Sequence, residues 1–203
     1  KIPSGKKIEA SMYCDCGNKK MDTKDYKGAV VCFTKAIELR PRYAEAYSLR
    51  GRAYSDLGQY DKAEQDLLVA IKYDEKLYKA HYNYARIKYA RSEFDECIEH
   101  SEKAIKYNKD KPNDAFYYQN AICYYMKESF GAARSSLSEA IKINGNDPLY
   151  YCIRGCAYKW DGKGQEELNY DYAVELYNLA KKDFKKVEEL DPKYACESSY
   201  CPN

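Results

Sequence analysis

Apolar residues along this chain fall at helical spacing, and the pattern restarts about every 34 positions. In one stretch Tyr47, Gly51 and Tyr54 are spaced by four and three, and Ala63, Leu67, Ala70 and Ile71 by four, three and one. Each set occupies one face of a helix. Leu57, Gly58 and Gln59 separate the two faces, and a glycine after a helical run suits a C-terminal cap. The pattern therefore predicts a helix, a tight turn and an antiparallel helix.

Two motifs keep this beat. Tyr47-Ser48-Leu49-Arg50-Gly51-Arg52-Ala53-Tyr54 matches Tyr151-Cys152-Ile153-Arg154-Gly155-Cys156-Ala157-Tyr158 at five of eight positions, and weaker copies begin at Tyr13, His81 and Tyr117. The second motif places alanines at 36, 70, 104 and 140. Its steps are 34, 34 and 36, and the two extra residues fall in the polar run Asn108 to Asn113, which reads as a longer turn. Gly17, Gly51 and Gly155 share one mid-helix position, with Ala85 and Ala121 in the other copies. Glycine there costs about 0.5 to 1 kcal/mol relative to alanine, so close approach of the partner helix is expected to offset it, with large residues such as Tyr60 or Phe94 opposite.

These residues resemble the tetratricopeptide repeat family. Tyr47, Gly51, Tyr54, Gly58, Tyr60, Ala63, Leu67 and Ala70 carry the likeness best, and Phe33 and Pro41 add to it in the first copy. The resemblance covers roughly residues 10 to 192. It implies an all-α, right-handed solenoid of about five antiparallel helix pairs, with units near 10–43, 44–77, 78–113, 114–147 and 148–192. An N-terminal extension (1–9) precedes the array, and a tail or interrupted further repeat (193–203) follows it.

Two departures stand out. Spacings of nine residues between the last aromatic position of the first helix and the first alanine of the second hold in four units. In the fifth the corresponding residues, Tyr158 and Ala180, are twenty-two apart, an insertion of thirteen around 161–173. Asp161 to Glu167 within it reads as a loop running into a helix start. Asp191-Pro192-Lys193-Tyr194-Ala195 then repeats the form of Arg40-Pro41-Arg42-Tyr43-Ala44, where a new unit began. The tail is expected to be truncated, to cap the array or to dock on another chain.

In the resembled family the second, fifth, ninth and twelfth positions of each first helix face a concave groove. Carried onto this chain, they include Asn18, Glu45, Ser48, Arg52, Lys79, Tyr82, Arg86, Tyr89, Tyr118, Tyr125, Cys152, Cys156 and Lys159. Arg52 and Arg86 hold one position in consecutive units, with Lys79 near them. Guanidinium groups bind carboxylates bidentately, so the expected ligand is a protein or peptide with an acidic side chain or a C-terminal carboxylate. The competing reading is that these charges are solvated or internally paired. Five clamp positions with which some relatives hold a chaperone C-terminus fall on Cys14, Asn18, Leu49, Lys79 and Asn83, and only Asn18 and Lys79 match.

Composition narrows the function without naming it. Lysine and arginine total 34 against 32 acidic residues, so no nucleic-acid partner is expected. No apolar run reaches the length of a membrane span, and the first residues lack a signal-peptide core. Residue 1 is lysine, which implies that the natural N-terminus lies upstream. A cytoplasmic location is the expectation. The 24 tyrosines suit a thin protein whose core lies close to solvent.

Nine cysteines form neither a disulfide framework nor a paired zinc pattern, so they are expected to be reduced and structural. Cys152 and Cys156, one turn apart, are poorly placed to bond each other and make half a zinc site. His81 and His100 join no catalytic set, and no phosphate loop or metal cluster is present. No cofactor and no enzymatic activity are expected. A non-enzymatic interaction scaffold is the leading reading. A structural subunit docking through the last helix and tail is the alternative, and a thiol-based sensor comes third.

Overall fold

The structure is a computed structural model that describes residues 3–196 and 201. Among these residues there are ten helices and no strand: α1 Ser4–Asp22, α2 Tyr26–Leu39, α3 Ala44–Asp56, α4 Tyr60–Tyr73, α5 Tyr78–Ala90, α6 Phe94–Tyr107, α7 Asp114–Met126, α8 Phe130–Ile143, α9 Pro148–Gln165 and α10 Tyr170–Leu190. Successive helices pair as hairpins. They form two compact units, Lys1–Tyr107 with α1 to α6 and Asn108–Asn203 with α7 to α10. The division falls in the polar run from Asn108. Helix α1 begins at Ser4, six residues before the expected start of the first repeat.

The hairpin turns are built alike. Lys24, Gly58, Ser92 and Glu128 occupy one place in the first four turns, with φ of 59°, 73°, 60° and 57°. In each, the following amide donates to a carbonyl five residues back: Asp25 to Lys20, Gln59 to Tyr54, Glu93 to Lys88 and Ser129 to Tyr124, all at 2.9 Å. This satisfies a carbonyl the helix end would leave orphaned. Only Gly58 takes the left-handed conformation without a Cβ penalty. Side chains cap several starts: Asp25 accepts from the Gly28 amide at 2.9 Å, and Asp147 accepts from the Leu149 amide at 3.0 Å, with Pro148 at the first helical position.

Small residues dominate the core of each unit. Ala29, Ala36, Ala63, Ala70, Ala104, Ala133 and Ala140 are wholly buried on the second helices, facing Ala10, Ala46, Ala53, Ala80, Ala85, Ala121 and Ala157 on the first. Glycine lets one large side chain fill each crossing. A Cβ on Gly17 would lie 2.3 Å from the Phe33 ring, on Gly51 2.8 Å from Leu67 Cγ, and on Gly155 2.7 Å from the Phe184 ring. The residue opposite Gly51 is therefore Leu67. Tyr60, expected there, lies at the exposed start of α4.

Beside two of these crossings lies a repeated ion pair. Arg50 holds Asp66 through two bonds of 2.7 and 2.8 Å and reaches Thr34 on α2, and Arg154 holds Asp183 at 2.8 and 2.7 Å and reaches Ser138 on α8. Each arginine thus ties three helices together. Such bidentate pairs are directional as well as strong.

The fifth hairpin is longer in both arms. Against α3 and α4, helix α9 has five more residues, its turn one more and α10 seven more, which accounts for all thirteen. Ala180 stands to Gly155 as Ala63 does to Gly51. Asp161 to Gln165 is helix rather than the expected loop. The reason is packing: Gly162 repeats Gly155 two turns on, and a Cβ there would lie 2.9 Å from the Tyr177 ring, while Arg134 pairs with Asp161. Close contact again offsets the poor helix propensity of glycine.

Candidate functional site

Within the first unit, α1, α3 and α5 stand side by side and carry the expected ligand-facing positions. Asn18, Arg52 and Lys79 are exposed, and Tyr82, Arg86 and Tyr89 are half-buried. Arg52 Nε lies 3.9 Å from Asp56 Oδ2, and an Arg86 terminal nitrogen lies 3.5 Å from Asp56 Oδ1. Two guanidinium groups on consecutive first helices thus converge on one carboxylate. Lys79 Nζ is 3.5 Å from Glu45 Oε1, across the same two helices. The cationic set is therefore partly paired internally, with one positive charge left over around Asp56.

Ser48 does not belong to this surface. It is 1% exposed, and its hydroxyl has no hydrogen-bond partner among the described residues. The fifth position of the first repeat unit, Cys14 on α1, is also buried and bonds the hydroxyl of Tyr43, the residue that leads into α3. Burial pushes the Cys14 thiol up to about 11, so it stays protonated. Helical spacing alone does not reveal that these small fifth-position residues are buried. Of the five clamp positions, Cys14 and Asn83 are both buried.

His81 is 1% exposed and lies in the core of the third hairpin. Its Nε2 is 2.9 Å from the Glu75 carbonyl, which only accepts, so that nitrogen carries the proton. Its Nδ1 then accepts from His100 Nδ1, 3.1 Å away. Burial disfavours the charged form of both rings. Burial lowers both pKa values, His100 to about 4, with the neighbouring His81 ring the next cause. Neither ring opens onto the surface of α1, α3 and α5 described above.

Lys88 is a second buried group, 2.8 Å from Glu64, 2.6 Å from Glu93 and 3.0 Å from Glu96. Burial alone would lower its pKa, but the three carboxylates outweigh that and raise it. Arg91 bonds Glu64 and Asp61 beside it. This network joins α4, α5 and α6 and is structural.

In the second unit Tyr118 is half-buried, its ring 5.6 Å from that of Tyr150. Lys159 is half-buried on α9. Tyr125, expected to face a ligand, is 7% exposed because it packs edge-on against Phe130 at 5.4 Å. A surface hollow of about 510 Å³ adjoins it, lined also by Met126, Glu128, Trp160, Lys163 and Gly164.

Cys152 and Cys156 depart furthest from expectation. Both are fully buried rather than presented to a ligand, and both are disulfide-bonded, Cys152 to Cys196 and Cys156 to Cys201. Cys16 and Cys32 form a third pair, between α1 and α2. The Cα separations of 6.0, 5.7 and 4.8 Å fall in the range that disulfides span. These pairings overturn the expectation of reduced cysteines. Sequence spacing missed them because each joins residues on different elements, 16, 44 and 45 positions apart.

Comparison with known proteins agrees with the hairpin geometry. Two family models, both described as tetratricopeptide repeat, match residues 10–43 and 32–65. The chain is 31% identical over 131 residues to small glutamine-rich tetratricopeptide repeat-containing protein 2 of Mycosarcoma maydis, covering 64% of this chain and 34% of that protein. It is 26% identical over 213 residues to Hsp70-Hsp90 organizing protein 3 of Arabidopsis thaliana, covering 88% and 36%. The chain thus spans about a third of the length of these relatives. Among solved structures, MamA from Desulfovibrio magneticus superposes with a TM-score of 0.73 at 14% identity, over 95% of this chain and 98% of that one. The fold class is an all-α helical solenoid. No described helix is long and apolar enough to cross a membrane.

Proposed function

The chain belongs to the tetratricopeptide repeat family, and from that premise we propose that it is a non-enzymatic interaction scaffold, holding a peptide or partner segment along its first-helix faces. The observation that carries this reading is the convergence of Arg52 and Arg86 on Asp56. Their side chains are 51% and 37% exposed. Exposed ion pairs of this length contribute little stability. A ligand carboxylate, from an acidic side chain or a chain terminus, can therefore enter beside Asp56 and take up a guanidinium in bidentate geometry. Tyr82 and Tyr89 add flat contact area, Lys79 and Asn18 flank it, and Tyr118 and Lys159 offer the same chemistry on the second unit's own first helices.

A chaperone-terminus clamp, which the name of the Arabidopsis relative brings to mind, is not carried over. Cys14 and Asn83, two of its five positions, have no access to a ligand.

The test is affinity purification with the intact chain, comparing wild type with Arg52→Glu/Arg86→Glu. Partners bound at this face should be depleted about tenfold or more, as expected when a charge pair at an interface is reversed. Equal recovery of every partner removes the face from consideration.

A second reading, as a structural subunit, is favoured by the far end of the fifth hairpin, where Leu168 and Tyr170 are 80% and 70% exposed. Apolar surface of this kind marks contact sites. Leu168→Ser/Tyr170→Ser should then abolish assembly while leaving the Arg52 and Arg86 face intact. As to location, a reducing cytoplasm, the expected setting, would hold the chain with its disulfides opened, and an oxidising compartment would hold it as described above.

A further inference from the structure

We propose that the hollow beside Trp160 is a guanidinium site: it takes an arginine side chain against its aromatic faces and the Glu128 carboxylate. The site stands on the geometry of the second unit alone. Only the source of the arginine, a partner segment, rests on the scaffold reading above.

Two stretches of chain build the hollow, whose volume of about 510 Å³ falls in the range of ligand pockets. The turn of the fourth hairpin supplies Met126, Glu128 and Phe130, and the end of α9 supplies Trp160, Lys163 and Gly164. With Gly155 set on Gly51, Trp160 falls where α3 ends at Asp56, so Lys163 and Gly164 lie in the five residues by which α9 outruns α3. The lengthened fifth hairpin therefore supplies one wall. A Cβ on Gly155 or Gly162 would strike an aromatic ring, whereas one on Gly164 would point into open space. No close helix contact calls for that glycine, and the side chain it lacks leaves the hollow clear.

The Phe130 and Trp160 rings lie 7° from parallel with their centroids 6.3 Å apart, and Trp160 is 36% exposed. Aromatic faces attract cations, and a flat guanidinium can stack on one while donating to a carboxylate. A cation already stands there: Lys163 Nζ is 5.5 Å from the Trp160 ring centre. Lys163 is exposed, and among the described residues no carboxylate pairs with it, so it can swing aside. Glu128 is exposed on the same hollow, and among the described residues its carboxylate has no cation and no donor. An arriving guanidinium meets that carboxylate with two N–H groups. A carboxylate drawn to Lys163 would instead face Glu128 and the negative faces of the rings.

The experiment uses the full chain. Trp160 is its one tryptophan, so fluorescence excited selectively in tryptophan reads the site directly. Titration with N-acetyl-arginine amide should give a saturable change in emission. N-acetyl-citrulline amide, of similar shape but uncharged, should bind about tenfold more weakly. Glu128→Gln should weaken the arginine probe by a similar factor of about ten, and Lys163→Ala should tighten it about threefold by removing the competing cation. Gly164→Leu should block the hollow and abolish the response. All three positions are exposed, so thermal melts should match wild type.

No saturable response to the arginine probe through the millimolar range would overturn the site, as would equal binding of citrulline or unchanged binding in Glu128→Gln. Preference for N-acetyl-phenylalanine with its free carboxylate, weakened by Lys163→Ala and indifferent to Glu128→Gln, would overturn it in favour of an acidic aromatic occupant. None of these readouts needs a partner protein, and Arg52→Glu/Arg86→Glu alters neither the hollow nor its titration. A failed titration leaves the Arg52 and Arg86 face standing, and equal recovery of partners at that face leaves the hollow standing.

Discussion

Protonation of the histidine pair should set the acid stability of the first unit. His100 is held neutral by burial and by His81, at a pKa of about 4 against an ordinary 6.5. The Tyr84 ring lies 4.4 Å from His100 and the Tyr107 ring 5.6 Å from His81, while Lys103, Glu99 and Glu96 act on the pair from α6. Because the folded value is depressed, the unfolded chain binds the proton first. The contribution is complete above about pH 6.5 and is lost as pH falls toward 4. At about 1.36 kcal/mol per pKa unit the loss approaches roughly 3 kcal/mol for His100, an upper figure since the ring is partly exposed, and His81 acts in the same direction. Urea melts followed by circular dichroism, from about pH 7 to about pH 4.5, should show wild type losing about 2 kcal/mol more than His100→Gln over that window. Parallel pH profiles for the two proteins would refute the reasoning, since carboxylate titration is common to both.

Three further outcomes follow from packing. Gly51→Leu should lower the Tm by about 5 °C or more, because even its Cβ would meet Leu67 Cγ at 2.8 Å and the Ala63 carbonyl at 3.1 Å; an unchanged thermal melt would remove the close-crossing account. Glu128→Gly should raise stability by about 0.5 to 1 kcal/mol in chemical denaturation, since Glu128 sits at φ 57° where only glycine is unstrained. Ser48→Ala should be neutral or stabilising by about 1 kcal/mol, because the lost hydroxyl is buried and unpartnered. A large destabilisation in that variant would mean the hydroxyl has a partner after all.

Much of the architecture was legible because repeat packing is local. Alanines at 36, 70, 104 and 140 recur because each hairpin repeats one crossing between its two helices, and the glycines at 17, 51 and 155 recur because that crossing leaves no room for a Cβ. The thirteen-residue insertion was countable for the same reason. Its form was not, since glycine at 162 reads as a loop until Tyr177 is placed against it. Arg50 and Arg154 showed as a repeated motif, but their role needed Asp66 and Asp183, which lie on other helices.

The candidate site divides the same way. Sequence by itself determined the helix pairs, their register, and the placing of Arg52, Lys79, Tyr82, Arg86 and Tyr89 on one helical side, because side-chain direction follows from helical period alone. Only tertiary structure decided which of those positions stay open. Ser48, Tyr125, Cys152 and Cys156 share the period but are buried, and Asp56 draws two arginines into one pair. Burial and cysteine pairing depend on segments far apart in sequence, so no local pattern can encode them.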